Sequence, residues 1–239
     1  MTTHVTTHNP VRTDVPAPQE LAVAPTARPG RLWAVAGLLG GLSAVGAFVS
    51  AGMVGSVYNN DFKGDTGKIA DDLADFGPQM IAFHAFATVA ALLIAVFGLG
   101  LYRRLRAAMP GDSLAPAAAA FGFLGTAVVL VLGSGLDTEF AFAVTQDDIV
   151  SDEALVIYNH WIGTIPGCWV LTGITGLALF QAARAGAVAR WIGITGLVLG
   201  GLSLLTSIAP LQYMSAATGA LMLLLVAAGF TFGDKAHRA

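Results

Sequence analysis

Charge is what this chain has least of. Only 11% of its 239 residues are Asp, Glu, Lys or Arg, against about 25% in an ordinary soluble domain. That is too little to wet the surface of a soluble globule, and the mean hydropathy of +0.71 agrees. A soluble enzyme is excluded on this ground. So is a nucleic-acid binder, because 12 basic residues against 15 acidic ones leave no excess to neutralise phosphates. Cysteine is nearly absent too. Cys168 stands alone, so no intrachain disulfide can form and the redox compartment is not readable. What abounds is apolar side chain, 55% of the chain, and glycine, with 29 residues. Glycine is commoner in transmembrane helices than in soluble ones.

The charges are missing in blocks. Uncharged runs occupy 32–58, 76–102, 114–136, 154–183 and 191–233. A helix rises about 1.5 Å per residue, so crossing a hydrocarbon core takes about 20 residues. The first four runs each hold one helix. The last is long enough for two, with Pro210 marking the break. The expectation is an all-α integral membrane protein, a six-helix bundle with spans at about 32–58, 76–102, 114–136, 154–183, 191–209 and 211–233. Residues 1–30, rich in Thr, Pro and Ala without an apolar period, read as a disordered tail. Residues 234–239 read as a short terminus. The first run is too long for the h-region of a secretory signal.

Basic residues set the expected orientation. Six spans put both termini, the 103–113 loop and the 184–190 loop on one side. That side carries Arg12, Arg28, Arg31, Arg103, Arg104, Arg106, Arg184, Arg190, Lys235 and Arg238, leaving only Lys63 and Lys68 opposite. Lys- and Arg-rich loops stay cytoplasmic, so both termini are expected inside. The acids collect outside: Asp61, Asp65, Asp71, Asp72, Asp75, Asp137, Glu139, Asp147, Asp148, Asp152 and Glu153. No ordered ligand spacing runs through them, so they read as a solvated face rather than a calcium loop. The outer loops, 59–75 and 137–153, are the long ones. A site is expected there.

Ionisable groups within spans are the first functional candidates, because burying them unpaired in hydrocarbon is expensive. His84 falls in the second span and His160 in the fourth, with Asp137 and Glu139 at the outer end of the third. Counting rise per residue puts His84 about 28 Å above Arg103, His160 about 36 Å above Arg184 and Asp137 about 36 Å above Ser113. All three can line one outward pocket. Asp137 and Glu139 are about 200° apart around a helix, so only one can face it. Asp137, shorter and nearer the hydrocarbon, is the expected histidine partner. Thr164 lies one turn beyond His160, and Trp169 is deep enough to line a cavity below it. Pro166 is expected to kink the fourth span.

Several chemistries fit this set. His84 and His160, on different helices, could clamp a haem iron, although their unequal depth and outer position weigh against it. His84, His160 and Asp137 or Glu139 form a two-histidine, one-carboxylate metal set, or an acid–base group, without a local sequence motif. A small-molecule or lipid pocket would need only the polar lining. The plainest account is that each histidine hydrogen-bonds a neighbour and holds helices together. Trp33, Tyr58, Tyr102, Tyr158, Trp161, Trp191 and Tyr213 fall near span ends and read as interfacial anchors. Gly37 and Gly41, Gly163 and Gly167, and Gly196 and Gly200 are spaced for close helix contact within the chain.

Four stretches carry a family resemblance: Ala34-Val-Ala-Gly-Leu-Leu39, Gly98-Leu-Gly-Leu-Tyr-Arg-Arg-Leu105, a histidine opening the fourth helix, and the run from Ala189-Arg-Trp-Ile-Gly to Leu202. Over residues 31–233 the chain resembles the bacterial six-helix proteins catalogued as domain of unknown function 4386. That resemblance implies topology and a bacterial cytoplasmic membrane, and supplies no activity. His160 is its one matching site residue. The expected function is a non-enzymatic protein that binds or moves a small or lipidic ligand through an outward-facing polar vestibule. Its rival is an intramembrane metal-, haem- or acid–base-dependent enzyme using His84 and His160. A third possibility is an accessory subunit held by a membrane-protein partner or a second copy. No cofactor is identified by the sequence.

Overall fold

Helices make every regular element among the residues that the computed structural model describes, which are 30–144, 146 and 149–233. The expected tail up to residue 29, the 234–239 terminus, Asp147 and Asp148 lie outside them. The helices are α1 (Leu32–Met53), α2 (Thr66–Leu73), α3 (Gly77–Arg106), α4 (Ala115–Gly133), α5 (Asp137–Ala143), α6 (Asp152–Thr164), α7 (Thr172–Arg184), α8 (Arg190–Thr195), α9 (Gly201–Ile208) and α10 (Ser215–Ala228). They combine into six stretches long and apolar enough to cross a membrane: Leu32–Met53, Thr66–Arg106, Ala115–Ala143, Asp152–Arg184, Arg190–Ile208 and Gln212–Gly233.

Local chemistry sets the helix ends. Proline at the start of α3 and of α4 occupies the turn where a backbone N–H has no partner to lose. Ser151 caps α6, its Oγ accepting the Ala154 N–H at 3.4 Å, with Asp152 and Glu153 on the positive end of the helix dipole. Helix α7 stops in a Schellman turn. Gly186 takes φ +76°, while Ala187 N–H donates to Ala182 O at 2.9 Å and Gly186 N–H to Ala183 O at 3.1 Å.

The second and third spans run longer than the sequence reading, from Thr66 and to Ala143, and the first and fourth are interrupted. Helix α1 ends at Met53, and Ser56–Tyr58 forms a separate 3-10 turn. Asn159 explains the early stop: its Nδ2 donates to Val54 O at 2.6 Å and its Oδ1 accepts the Val57 N–H at 2.7 Å. The fourth span is broken at Pro166 rather than kinked. A 3-10 turn at Ile165–Gly167 leads into non-helical chain before α7 begins. The freed backbone groups find side-chain partners, as an open stretch inside a bundle must. Trp169 N–H donates to Ser215 Oγ at 2.8 Å, Trp169 Nε1 donates to Pro166 O at 2.8 Å, and Thr172 Oγ1 donates to Trp169 O at 2.7 Å.

The spans close a ring in chain order. Helix α1 packs on α3, α3 on α4, α4 on α7, α7 on the fifth span, and α10 on both the fifth span and α1. Small residues point inward and large ones outward. In α1 the buried side is Ala34, Gly37, Gly40, Ser43, Ala44 and Ala47, whereas Leu39, Leu42, Val45 and Val49 are exposed. Water would reverse that polarity; hydrocarbon tolerates it, since association inside lipid depends on close packing and not on burying leucine. The glycines make the closest approach. A methyl on Gly176 would strike the carbonyl oxygen of Gly196, and Gly200 faces the same spot. Hydroxyls add cross-span bonds, such as Ser43 Oγ to Phe86 O at 2.9 Å and Thr175 Oγ1 to Ala119 O at 2.8 Å.

Candidate functional site

Helix α5 exists because the third span does not stop cleanly. A turn at Ser134–Leu136 follows α4, Asp137 N–H donates to Ser134 O at 3.2 Å, and the chain resumes as α5 with Asp137 as its first residue. This turn directs the Asp137 side chain inward, where it is 1% exposed. Glu139, two positions on, is exposed on the other side. The two carboxylates diverge as the helical phase requires.

Asp137 meets two partners from different spans. Tyr158 of α6 donates its hydroxyl to Oδ1 at 3.0 Å. His84 of α3 brings Nδ1 to 3.5 Å from Oδ2, an ion-pair distance for a protonated ring, and to 3.3 Å from Ser134 O. At 3.5 Å the first contact is too long for a strong hydrogen bond, and Oδ2 has no hydrogen-bond donor. In the tautomer with its proton on Nδ1, that nitrogen would donate to Ser134 O and Nε2 would be the acceptor. Nε2 has no partner among the described residues. The histidine side chain is 44% exposed, so a buried carboxylate communicates with the surroundings through a half-exposed imidazole.

The surrounding aromatic groups hold this arrangement. Phe140 lies flat on the Tyr158 ring, with centroids 4.6 Å apart and planes 6° from parallel. Tyr158 is fully buried, which corrects its reading as an interfacial anchor. Trp161 Nε1 donates to Gly133 O at 2.9 Å, tying α6 to the end of α4. The sequence reading missed Tyr158 and Asn159 as structural polar residues. The available signal was chemical. A carboxylate placed inside a span needs a donor, and tyrosine supplies one on an apolar ring.

His160 stands apart from this group. It is exposed, with its ring edge-on to Tyr58 at 5.8 Å between centroids. Thr164 Oγ1 donates back to His160 O at 2.6 Å within its own helix. Trp169 is wholly buried and packs against Phe48 at 5.4 Å, filling the core below His160 where the sequence suggested a cavity lining. Among the described residues no group of three or more His, Cys, Asp and Glu is placed to hold a metal ion. The set of His84, His160 and Asp137 is therefore not assembled as a metal centre, and the expected histidine partner of Asp137 is His84 alone.

Beside this site, at the same end of the bundle, lies a cleft of about 870 Å³. Its polar lining includes Asp71, Asp152 and Glu153, and no Lys or Arg among the described residues. Helices α5 and α6, which carry Asp137 and Tyr158, contribute Ala143 and Leu155 to its walls. No family model, curated protein or solved structure matches the chain.

Proposed function

We propose that this is a bacterial cytoplasmic-membrane protein, with both termini inside, that binds or moves a small or lipidic ligand at the acidic, outward end of its bundle. The ligand presents a cationic or hydrogen-bond-donating group to Asp137. One observation carries the reading: Asp137 is buried, yet its Oδ2 has no hydrogen-bond donor. An acceptor left in that state costs about 1–3 kcal/mol, which a ligand N–H or O–H would recover. The neighbouring cleft, lined by carboxylates and by no basic residue among those described, favours a cation. Half-exposed His84 is the group that would move aside to admit it.

Thermal unfolding of the full chain in mild detergent tests this, using alkylammonium ions of increasing chain length as probes. A concentration-dependent rise in Tm is expected for the wild type and not for Asp137→Asn. The reading fails if no probe stabilises the wild type, or if Asp137→Asn responds equally.

A second reading is favoured by the histidine itself. An imidazole with Nδ1 turned to a buried carboxylate and Nε2 unbonded is how a general base is held. On that reading the protein is an acid–base enzyme, and His84→Gln is the discriminating change. Probe binding survives His84→Gln under the first reading, while turnover of any substrate is lost under the second.

A further inference from the structure

We propose that the groove between α7 and α8, at the opposite end of the bundle, is a binding site for an anionic phospholipid. The groove has a volume of about 690 Å³ and is lined by Phe180, Ala183, Val188 and Ile194 together with Arg184 and Arg190. The two arginines end one span and begin the next, so both stand where hydrocarbon gives way to water, whichever way the protein is oriented. Neither has a hydrogen-bond or ion-pair partner among the described residues. No acid among the described residues lines the groove.

The apolar lining has a matching geometry. Phe180 precedes Arg184 by four residues and Ile194 follows Arg190 by four, so each arginine has an apolar side chain on its own helix face, one turn deeper in the span. Two cationic heads above two apolar stems reproduce the pattern of a phosphate joined to acyl chains. A free phosphate would use only the upper half. The Schellman turn at Gly186 sets the distance between the two helices, and Arg104 of α3 donates to Ala187 O at 3.1 Å and steadies it. Basic pockets between spans are where anionic headgroups bind.

Native mass spectrometry of the full chain, with phosphatidylglycerol or phosphatidylcholine added in detergent, reads the site out. The wild type is expected to retain phosphatidylglycerol at least tenfold more tightly than phosphatidylcholine. Arg184→Gln with Arg190→Gln should lose about thirtyfold of that affinity, roughly fivefold per charge. Arg184→Lys with Arg190→Lys should keep most of it. Equal retention of the two lipids by the wild type, or an unchanged preference in the glutamine pair, overturns the proposal. Displacement of the lipid by millimolar inorganic phosphate overturns it too, in favour of a free-phosphate site. Should the glutamine pair not fold, Arg190→Gln alone carries the test, with an expected loss of about fivefold.

Discussion

A buried carboxylate is as stable as the donors around it, and at Asp137 those donors can be counted. Tyr158→Phe removes the hydroxyl on Oδ1 and leaves both carboxylate oxygens without a hydrogen bond from the described residues. It should destabilise the protein by about 1–2 kcal/mol. Adding Asp137→Leu to that variant should restore stability, since an apolar pair is better than a half-satisfied polar one. Denaturant titrations of the two variants decide the matter; no restoration would mean that Asp137 is satisfied by other groups. Asn159→Ala breaks two bonds to the chain after α1 and should cost about 2 kcal/mol. His160→Ala, one residue further on and exposed, should change stability by less than about 0.5 kcal/mol. Of these roles, the two-residue offset on a helix revealed that Asp137 and Glu139 could not both face one site, and the shorter, deeper Asp137 was the expected histidine partner. Tyr158 was hidden, because an aromatic near a span end has the same local sequence whether it anchors in the headgroups or turns into the core.

Among the elements, the glycine contact between α7 and the fifth span is the most sensitive to a single methyl. Gly176→Ala drives its Cβ into a backbone carbonyl and should cost about 1–3 kcal/mol. Gly201→Ala, where nothing lies within 4 Å, should instead gain about 0.5–1 kcal/mol from helix propensity. Equal effects in thermal unfolding would contradict the packing described. Helix α2 offers a pH-dependent counterpart. Asp65 caps it by accepting the Lys68 N–H at 3.3 Å, with the Lys68 ammonium at 3.4 Å. That backbone hydrogen bond, and then the ammonium, hold the Asp65 carboxyl below its ordinary value. The cap is therefore intact above about pH 4 and lost as the pH falls below it. Amide exchange at Lys68 should accelerate there beyond its intrinsic rate, and Asp65→Ala should abolish the change. Span number was legible because uncharged runs are a length measurement. The turns at Gly196–Gly200 and Gly229–Gly233, wound with five-residue hydrogen bonds, were not, since such a turn needs no distinctive residue.

For the molecule as a whole, the two ends differ in charge in a way that fixes an expected orientation. Arg31, Arg103, Arg104, Arg106, Arg184 and Arg190 gather at one end, and the carboxylates of α2, α5 and α6 at the other. In a Cys168→Ser background, Asp61→Cys should react with a membrane-impermeant maleimide in intact cells. Asp112→Cys should react only after permeabilisation, and the reverse pattern would invert the protein in the membrane.

The broken fourth span has a bearing on biosynthesis. The Trp169 N–H there is shared between Gly167 O of the same span, at 2.9 Å, and the hydroxyl of Ser215, which belongs to the sixth span and leaves the ribosome 46 residues later. Until that hydroxyl arrives, the break is held by its own span alone, through Gly167 O and the Trp169 indole on Pro166 O. Completion of the last span should therefore tighten the fourth. A chain cut short at Ala209 should be inserted yet protease-sensitive near Pro166, and Ser215→Ala in the complete chain should show the same scar in weaker form.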